Sequence, residues 1–209
     1  MELRSSSVFL DFDGTITLAD TGVHLMERLA PPSWLEIEAR YKSGAIGSRE
    51  CLVEQWSMLP GDRTLIETVA GEVPVDEGFT GLVEFLRSAG AEVTIVSDGF
   101  GIRVGEIARE ARIAALTNEV DWASGTILFP NGDPSCECAA CGVCKRGPIR
   151  EAKRRGQNTI LVGDGASDMK AAAEADVVFA KDSLAEWCTA AGVAFRRFAN
   201  LSEVSAQLS

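Results

Sequence analysis

Near the start of the chain, Val8-Phe9-Leu10-Asp11-Phe12-Asp13-Gly14-Thr15 is a short apolar run that ends in two aspartates, a glycine and a threonine. In extended backbone, side chains two residues apart point to the same side. The stretch therefore predicts a buried strand that brings the Asp11 and Asp13 carboxylates together just past its end. Two carboxylates about 5 Å apart repel by roughly 3 kcal/mol at an effective dielectric of about 20. A Mg²⁺ ion, which prefers oxygen ligands, would remove that cost, and the alternative interpretation is a polar turn without a ligand.

The composition indicates a chain with a substantial hydrophobic core and an excess of acidic residues. Of its 209 residues 46% are hydrophobic, and 20 basic against 31 acidic residues give a formal net charge of −11. A strongly negative chain is a poor partner for nucleic acid or an anionic membrane, because both require a basic surface. No apolar run approaches the roughly 18 residues of a membrane span, and residues 1–7 lack the apolar stretch of a secretory signal. We therefore expect a soluble, cytoplasmic protein.

Strand-like and helix-like patterns alternate along most of the chain. Apolar runs of strand length lie at 8–10, 92–96, 159–162 and 177–180, with a weaker fifth at 193–195. Helical patterns lie between them, at 78–88, 103–112, 149–155, 167–175 and 184–191. This alternation is typical of an α/β fold in which helices cover both faces of a sheet, so we predict a doubly wound parallel sheet.

Residues 18–75 break the alternation and contain helical patterns alone, separated by Pro31-Pro32 and Pro60-Gly61. We predict a catalytic core made of residues 1–17 and 76–209, with a small helical domain of residues 18–75 inserted after the first strand. The predicted core of this inserted domain is the apolar set Trp34, Leu35, Ile37, Leu52 and Trp56. A second irregular stretch, 117–144, contains a hairpin-like piece around Gly125.

Polar clusters follow three of the predicted strands at the point where each strand ends. The first is Asp11 with Asp13, the second is Ser97-Asp98-Gly99, and the third is Gly163-Asp164-Gly165-Ala166-Ser167-Asp168. In open α/β sheets, ligands bind outside the carboxyl ends of the strands. Lys145 stands just before Pro148, which suits the first turn of a helix. Together these clusters predict a single site of the kind that phosphate chemistry uses.

The order and content of these pieces resemble the haloacid dehalogenase superfamily of phosphohydrolases. Its four motifs match Asp-x-Asp-Gly-Thr at 11–15, a serine after a strand at Ser97, a lysine at a helix start at Lys145, and Gly-Asp-x-x-x-Asp at 163–168. The match spans almost the whole chain and implies a Rossmann-like core with a type 1 cap at the helical insertion. Within the superfamily the chain is most similar to the phosphoserine-phosphatase-like branch. It looks especially like the phosphatases of methionine salvage that act on 2-hydroxy-3-keto-5-methylthiopentenyl-1-phosphate.

The resemblance implies Mg²⁺-dependent hydrolysis of a small-metabolite phosphate monoester. Asp11 would attack phosphorus and form an aspartyl-phosphate, and Asp13 would protonate the leaving group and then deprotonate the attacking water. Mg²⁺ would be bound by Asp11, Asp164 and the Asp13 carbonyl. Asp168 would complete the metal site by orienting Lys145 or a water on the ion. The phosphoryl oxygens would be held by Lys145 and by residues of two loops, namely Gly14, Thr15, Ser97, Asp98 and Gly99.

Other interpretations remain open. Phosphoserine is the alternative substrate, and a phosphotransferase or mutase would pass the phosphoryl group to a second substrate instead of water. A non-catalytic binding module would have lost the nucleophile or the acid, and this chain keeps both.

Asp98 follows Ser97 where the phosphoserine-type pattern usually has glycine, so its carboxylate would change selectivity or point away. Ser97 as nucleophile would need a base, and His24 is the only histidine of the chain. The alternative for Lys145 is a solvated lysine at the start of a helix, and the alternative for Asp168 is an acidic residue at a helix N-terminus.

Four of the six cysteines are spaced C-x-C-x-x-C-x-x-C just before Lys145, at Cys136, Cys138, Cys141 and Cys144. Four thiolates would close a tetrahedral structural zinc site, and the alternatives are a compact loop of thiols or a disulfide formed after purification. Cys51 and Cys188 are predicted to be buried.

The basic residues within 145–155 predict a solvated helix face and no nucleic-acid site. Polar cap residues that would select the substrate are Asp20, Arg28, Arg40, Lys42 and Arg49.

Overall fold

A computed structural model of the chain describes residues 3–133 and 140–209. Its strands are β1 (Ser6–Leu10), β2 (Glu92–Val96), β3 (Ala114–Leu116), β4 (Glu119–Asp121), β5 (Thr126–Leu128), β6 (Asn158–Gly163), β7 (Val177–Ala180) and β8 (Arg196–Arg197). Its helices are α1 (Thr21–Leu29), α2 (Trp34–Lys42), α3 (Ser48–Trp56), α4 (Arg63–Gly71), α5 (Phe79–Ser88), α6 (Val104–Ala111), α7 (Arg146–Arg154), α8 (Met169–Ala172), α9 (Asp182–Ala191) and α10 (Leu201–Leu208).

A parallel sheet with the order β3-β2-β1-β6-β7-β8 forms the centre of the molecule. Strand β1 is buried along its whole length, and its side chains alternate between two cores. Val8 and Leu10 pack with helices α5, α6 and α10 on one face, whereas Phe9 packs with α7, α8 and α9 on the other. Each large apolar side chain buried in this way contributes about 1.5–3 kcal/mol. The predicted doubly wound parallel sheet is confirmed.

The order of the strands places a crevice beside β1. After β1 the chain adds β2 and β3 on one side, and later adds β6, β7 and β8 on the other. Loops that leave β1 and β6 therefore turn away from each other, which opens a binding crevice at the carboxyl ends of these strands. The loops that begin at Asp11, Ser97 and Asp164 all start at this edge of the sheet.

Helices α1 to α4 lie between β1 and α5 along the chain and contribute to one apolar cluster, and we call residues 18–75, which contain them, the cap. The chain leaves and re-enters the core at one place, since Leu18 N donates to Pro74 O at 2.9 Å and Asp76 N donates to Ile16 O at 2.8 Å. The prediction of a buried Leu35 is wrong, because this side chain is 55% exposed on the outer side of α2. The cluster buries Leu25, Met26, Trp34, Leu52, Trp56, Ile66, Val69 and Ala70, together with Phe100, Ile102 and Ile127 from outside the cap.

The hairpin predicted around Gly125 is confirmed as β4 and β5, and it contacts the cap through a hydrogen bond from Trp56 Nε1 to Gly125 O of 3.0 Å. The strand predicted at 193–195 is wrong, because the pairing with β7 falls instead on Arg196 and Arg197. The short strand β3 and the last helix α10 are not among the elements predicted from the sequence. Within the described residues, every helix is too short or too polar to cross a bilayer.

Candidate active site

The loop after β1 is shaped by close contact with Asp164. Gly14 has φ of +78°, a conformation that favours glycine. A Cβ atom added there would overlap the Asp164 carboxylate. The next residue, Thr15, donates from Oγ1 to Asp164 Oδ1 at 2.9 Å. The glycine thus lets the loop that starts at Asp11 lie directly against the loop that follows β6.

Lys145 lies immediately before α7 and joins two of the predicted carboxylates. Its Nζ donates to Asp11 Oδ1 at 2.5 Å and to Asp168 Oδ1 at 2.8 Å. The exposed fractions of Lys145, Asp11 and Asp168 are 4%, 5% and 0%, so these ion pairs are shielded from water. Asp168 Oδ2 also accepts from the backbone N–H groups of Asp164 and Gly165 at 3.3 Å. Lys145 and the predicted nucleophile Asp11 are therefore in contact, although they lie 134 positions apart in the sequence.

Three neighbouring carboxyl groups, those of Asp11, Asp164 and Asp168, resist ionisation. Burial raises the pKa of Asp11 to about 6, and the ammonium of Lys145 opposes this shift. Burial and the Asp168 charge raise the pKa of Asp164 to about 6. Burial and the Asp11 charge raise the pKa of Asp168 to about 7. Burial disfavours the charge of Lys145, but the two facing carboxylates outweigh it and raise the pKa of the lysine.

Asp11, Asp164 and Asp168 have the composition of a site for a hard cation. One carboxylate oxygen from each lies within 4.8 Å of the others, which is close enough for the three residues to bind one metal ion. An all-oxygen donor set of this kind suits Mg²⁺ or Ca²⁺ better than softer metals. A divalent cation would also offset the repulsion that raises the pKa values of these groups. The residues present therefore fit Mg²⁺.

Asp13 lies between the core and the first helix of the cap. Its Oδ1 accepts from the Thr21 backbone N–H at 3.0 Å, and its Oδ2 lies 3.5 Å from Ser97 Oγ. Burial, followed by the charges of Asp20 and Asp11, raises the pKa of Asp13 to about 7. A carboxyl group with this pKa exchanges its proton near neutral pH, as a general acid must.

Ser97 and the residues after it border the same crevice. Ser97 Oγ accepts from the Gly99 backbone N–H at 3.3 Å. A Cβ atom on Gly99 would lie 2.5 Å from Asp13 Oδ2, so the loop needs a glycine here to approach the acid. The imidazole of His24 lies 2.9 Å from Glu72, and the described hydrogen bonds of the Ser97 hydroxyl go to Asp13 and Gly99. The described residues therefore do not form the Ser97–His24 pair that a serine nucleophile would use.

The Asp98 side chain is held by hydrogen bonds away from Ser97. Its Oδ2 accepts from Ser48 Oγ at 2.6 Å, and its Oδ1 accepts from Val143 N at 2.7 Å. Ser48, Gly142 and Val143 were not among the predicted site residues. Each contact joins positions at least 45 residues apart, and no local pattern in the sequence marks them.

The polar cap residues differ in their distance from the acids. Asp20 caps α1 by accepting from Val23 N at 2.8 Å, and its charge acts on Asp13. Arg49 is half-buried, stacks over Phe129 and donates to Cys141 O at 3.4 Å. The remaining three are engaged in surface ion pairs, which join Arg28 to Glu72, Arg40 to Glu50 and Glu54, and Lys42 to Glu38.

The zinc hypothesis stays a prediction, because Cys136 and Cys138 lie outside the described residues. Cys144 is buried and Cys141 half-buried in the segment that leads to Lys145. Cys51 and Cys188 are buried, as predicted. Basic side chains of α7 form ion pairs with nearby acids, namely Arg150 with Glu174, Lys153 with Asp176, Arg154 with Glu151, and Arg155, just past the helix, with Glu92.

The family model described as haloacid dehalogenase-like hydrolase matches residues 8–173. A protein of Bacillus velezensis named 2-hydroxy-3-keto-5-methylthiopentenyl-1-phosphate phosphatase is 32% identical over 216 residues, covering 96% of this chain and 88% of that protein. A protein of the same name from Exiguobacterium sp. is 30% identical over 212 residues, covering 98% of this chain and 97% of its own length.

Solved structures of phosphoserine phosphatases share the fold. A phospho-aspartyl intermediate analogue of phosphoserine phosphatase has a TM-score of 0.73 at 20% identity, covering 98% of this chain and 99% of that chain. A substrate-bound phosphoserine phosphatase complex has a TM-score of 0.66 at 22% identity, covering 87% and 90%. At these identities the likeness shows the common fold.

Proposed function

Because this chain belongs to the haloacid dehalogenase-like hydrolases and its full-length relatives are phosphatases, we propose that it hydrolyses a small phosphate monoester through an aspartyl-phosphate on Asp11. The observation that carries the proposal is the buried contact of Asp11 with Lys145, beside Asp164 and Asp168. A carboxylate held against an ammonium in a water-poor site is a suitable nucleophile for phosphorus. Because hydrolysis of phosphate monoesters is extremely slow in water, the site must lower the barrier by much of ~20 kcal/mol, and a covalent intermediate divides this difficult step into two easier ones.

The protein residues divide the reaction into two steps. An oxygen of Asp11 attacks phosphorus, the bond to the leaving oxygen breaks, and Asp13 gives its proton to that oxygen. Asp13 then takes a proton from the water that attacks the aspartyl-phosphate, which releases phosphate and restores Asp11. Lys145 and the Ser97 hydroxyl stabilise the charge on the transferring group. When bound by Asp11, Asp164 and the Asp13 carbonyl, Mg²⁺ would supply positive charge to the phosphoryl oxygens.

The proposed substrate is 2-hydroxy-3-keto-5-methylthiopentenyl-1-phosphate. The proposal is supported by the names of relatives that match nearly the whole chain at 28–32% identity. Phosphoserine is the alternative, because the fold is that of phosphoserine phosphatases. We propose residues 18–75 as the cap that selects between them, with Asp20 as the cap residue whose charge acts on Asp13. Cytoplasmic location follows as an expectation from such a metabolic role.

A panel of phosphorylated metabolites tests the proposed substrate. With Mg²⁺ present, we expect kcat/KM for the methylthiopentenyl phosphate to exceed that for phosphoserine at least about 100-fold, the size of discrimination that a fitted pocket provides. Free phosphate should appear in step with substrate loss, whereas a phosphotransferase or mutase would need an added acceptor. A higher kcat/KM for phosphoserine would contradict the proposed substrate and leave the reaction class in place.

The binding of Mg²⁺ should stabilise the protein more at pH 8 than at pH 5.5. Asp11, Asp164 and Asp168 have pKa values of about 6 to 7, above the 3.8 of an unfolded aspartate, so the folded metal-free protein binds extra protons. The stability that these protons provide is present below pH 4 and is lost as the pH rises through 6 to 7. At pH 5.5, Mg²⁺ must displace these protons before it can bind, whereas at pH 8 the aspartates are already ionised. Saturating Mg²⁺ should therefore raise Tm by about 5–10 °C at pH 8.

Thermal unfolding with and without Mg²⁺ at the two pH values measures this difference. Asp164→Asn should remove most of the Mg²⁺-dependent rise, because it deletes one of the clustered carboxylates. Asp121→Asn, in the β4–β5 hairpin, is the control and should keep it. An equal Mg²⁺ effect at both pH values would contradict the assigned metal site.

A further inference from the structure

The Asp98 carboxylate joins three segments of the chain next to the phosphate-binding loop. It accepts from Ser48 Oγ at 2.6 Å and from Val143 N at 2.7 Å. Ser48 Oγ in turn accepts from Gly142 N at 3.1 Å. Ser48 begins α3 of the cap, Val143 precedes Lys145 by two residues, and Asp98 itself follows Ser97. One side chain thus connects the cap, the lysine segment and the serine loop.

The start of α3 and the segment before Lys145 are packed as one unit. Arg49 N donates to Ala140 O at 3.0 Å, and a Cβ atom on Gly47 would overlap Ala140. A Cβ atom on Gly142 would lie 2.6 Å from Asp98 Oδ1. Because these contacts leave no space for adjustment, a movement of α3 would carry the 140–143 segment with it. The Asp98 carboxylate is a buried polar link between this unit and the loop that follows β2.

The link requires two acceptor atoms on one short side chain. Asp98 Oδ2 accepts from Ser48 Oγ and Oδ1 accepts from Val143 N, and the Asn118 side chain is a further hydrogen-bond partner of this carboxylate. A hydrogen bond to a charged acceptor contributes about 1.5–3 kcal/mol. Glycine at this position would leave the Val143 N–H and the Ser48 hydroxyl without these acceptors. Asparagine would keep both contacts, because its oxygen accepts from Val143 N and its amide N–H donates to Ser48 Oγ.

We infer that Asp98 is a positioning residue, which makes the placement of Lys145 against Asp11 depend on the seating of the cap. The inference rests on the proposed phosphatase function. With α3 seated, Asp98 and Ser48 together bind the backbone of Gly142 and Val143, and Lys145 Nζ lies 2.5 Å from Asp11. With α3 displaced, the 140–143 segment moves with it, Ser48 and Val143 lose their hydrogen bonds to Asp98, and the lysine loses its support. The site is therefore complete only when the cap is in place over the substrate.

The experiment compares Asp98→Ala, Asp98→Asn and Ser48→Ala with the wild type. Ser57→Ala is the matched control, because the Ser57 hydroxyl lies at the other end of α3 and bonds to Glu54 O within its own turn. Hydrogen exchange at residues 46–50 and 140–146 reports the link without any turnover. Steady-state kinetics with p-nitrophenyl phosphate and Mg²⁺ report whether Lys145 is correctly placed, because this substrate has a good leaving group and few atoms for the cap to contact.

Asp98→Ala should speed exchange in both segments at least about fivefold and lower kcat about 10-fold, the loss of one charged hydrogen bond. Ser48→Ala should speed exchange in both segments with a smaller loss of kcat. Asp98→Asn should recover kcat to within about threefold of the wild type, since it keeps both hydrogen bonds. Ser57→Ala should match the wild type throughout.

Unchanged exchange and kcat in Asp98→Ala would overturn the inference. An Asp98→Asn protein as impaired as Asp98→Ala would also overturn it, because the carboxylate would then act through its charge and not through its two contacts. If the wild type releases no phosphate from any substrate, the proposed function fails, while the exchange comparison still decides the role of Asp98.

Discussion

Asp11→Asn is expected to lower kcat by at least about 10⁴-fold with little change in stability, because an amide oxygen is a poor nucleophile toward phosphorus. The substitution keeps the shape of a side chain that is 5% exposed, and its oxygen can still accept from Lys145 Nζ. It also removes a carboxylate whose pKa is raised to about 6 by burial, so the loss of its charge attraction to Lys145 is partly offset by a smaller desolvation cost. We expect the free energy of unfolding to change by less than about 2 kcal/mol.

Steady-state phosphate release and thermal unfolding of the same preparation measure the two effects. Brief incubation with substrate followed by intact-mass analysis should detect a phosphorylated wild-type protein, and Asp11→Asn should carry no added phosphoryl mass. Asp62→Asn is the control, since Asp62 caps α4 on the surface of the cap by accepting from Leu65 N. An Asp11→Asn protein that turns over within about 10-fold of the wild type would refute the assignment of the nucleophile.

The parts of this site that could be predicted from sequence are those that follow directly from strand ends. Asp11, Ser97 and Asp164 each come directly after a buried strand, and parallel strands place their carboxyl ends at one edge. Once the apolar runs are recognised, the positions of these residues follow from the alternation of strands and helices. The contact of Lys145 with Asp11 could not be predicted from strand ends alone, because it depends on how the start of α7 packs against β1. The order of the family motifs supplied this prediction.

The parts that could not be predicted depend on contacts between distant residues. Asp98 is bonded to Ser48 across 50 residues and to Val143 across 45 residues, and neither partner belongs to a recognisable pattern. Strand β3 has three residues and no strongly apolar run, so its pairing with β2 decides its conformation. Leu35 lies next to Trp34 in the sequence, yet α2 buries Trp34 and Ile37 and turns Leu35 outward. Amphipathic spacing identifies a helix but leaves open which residue faces the neighbouring helices.

Lys145→Met is expected to lower kcat by at least about 10³-fold and also to destabilise the protein, in contrast to Asp11→Asn. Lys145 is 4% exposed and is the ammonium that Asp11 and Asp168 share. Removing one partner from a buried ion pair costs about 3–5 kcal/mol when the remaining charge stays ionised. Without the lysine, the pKa values of Asp11 and Asp168 should rise above their present values of about 6 and about 7.

The sign of the pH dependence distinguishes this effect from a simple loss of packing. At pH 5.5 both carboxyls of the Lys145→Met protein hold protons and are neutral, whereas at pH 8 their ionisation is costly. The metal-free variant should therefore lose more stability relative to the wild type at pH 8 than at pH 5.5. Lys153→Met makes the same change on the exposed side of α7, where the lysine pairs with Asp176 at 2.8 Å, and it should alter stability by less than about 1 kcal/mol at either pH. Equal destabilisation of Lys145→Met at both pH values would mean that Lys145 supports the fold through its apolar stem, and the charge assigned to it at the transferring phosphoryl group would then need another source.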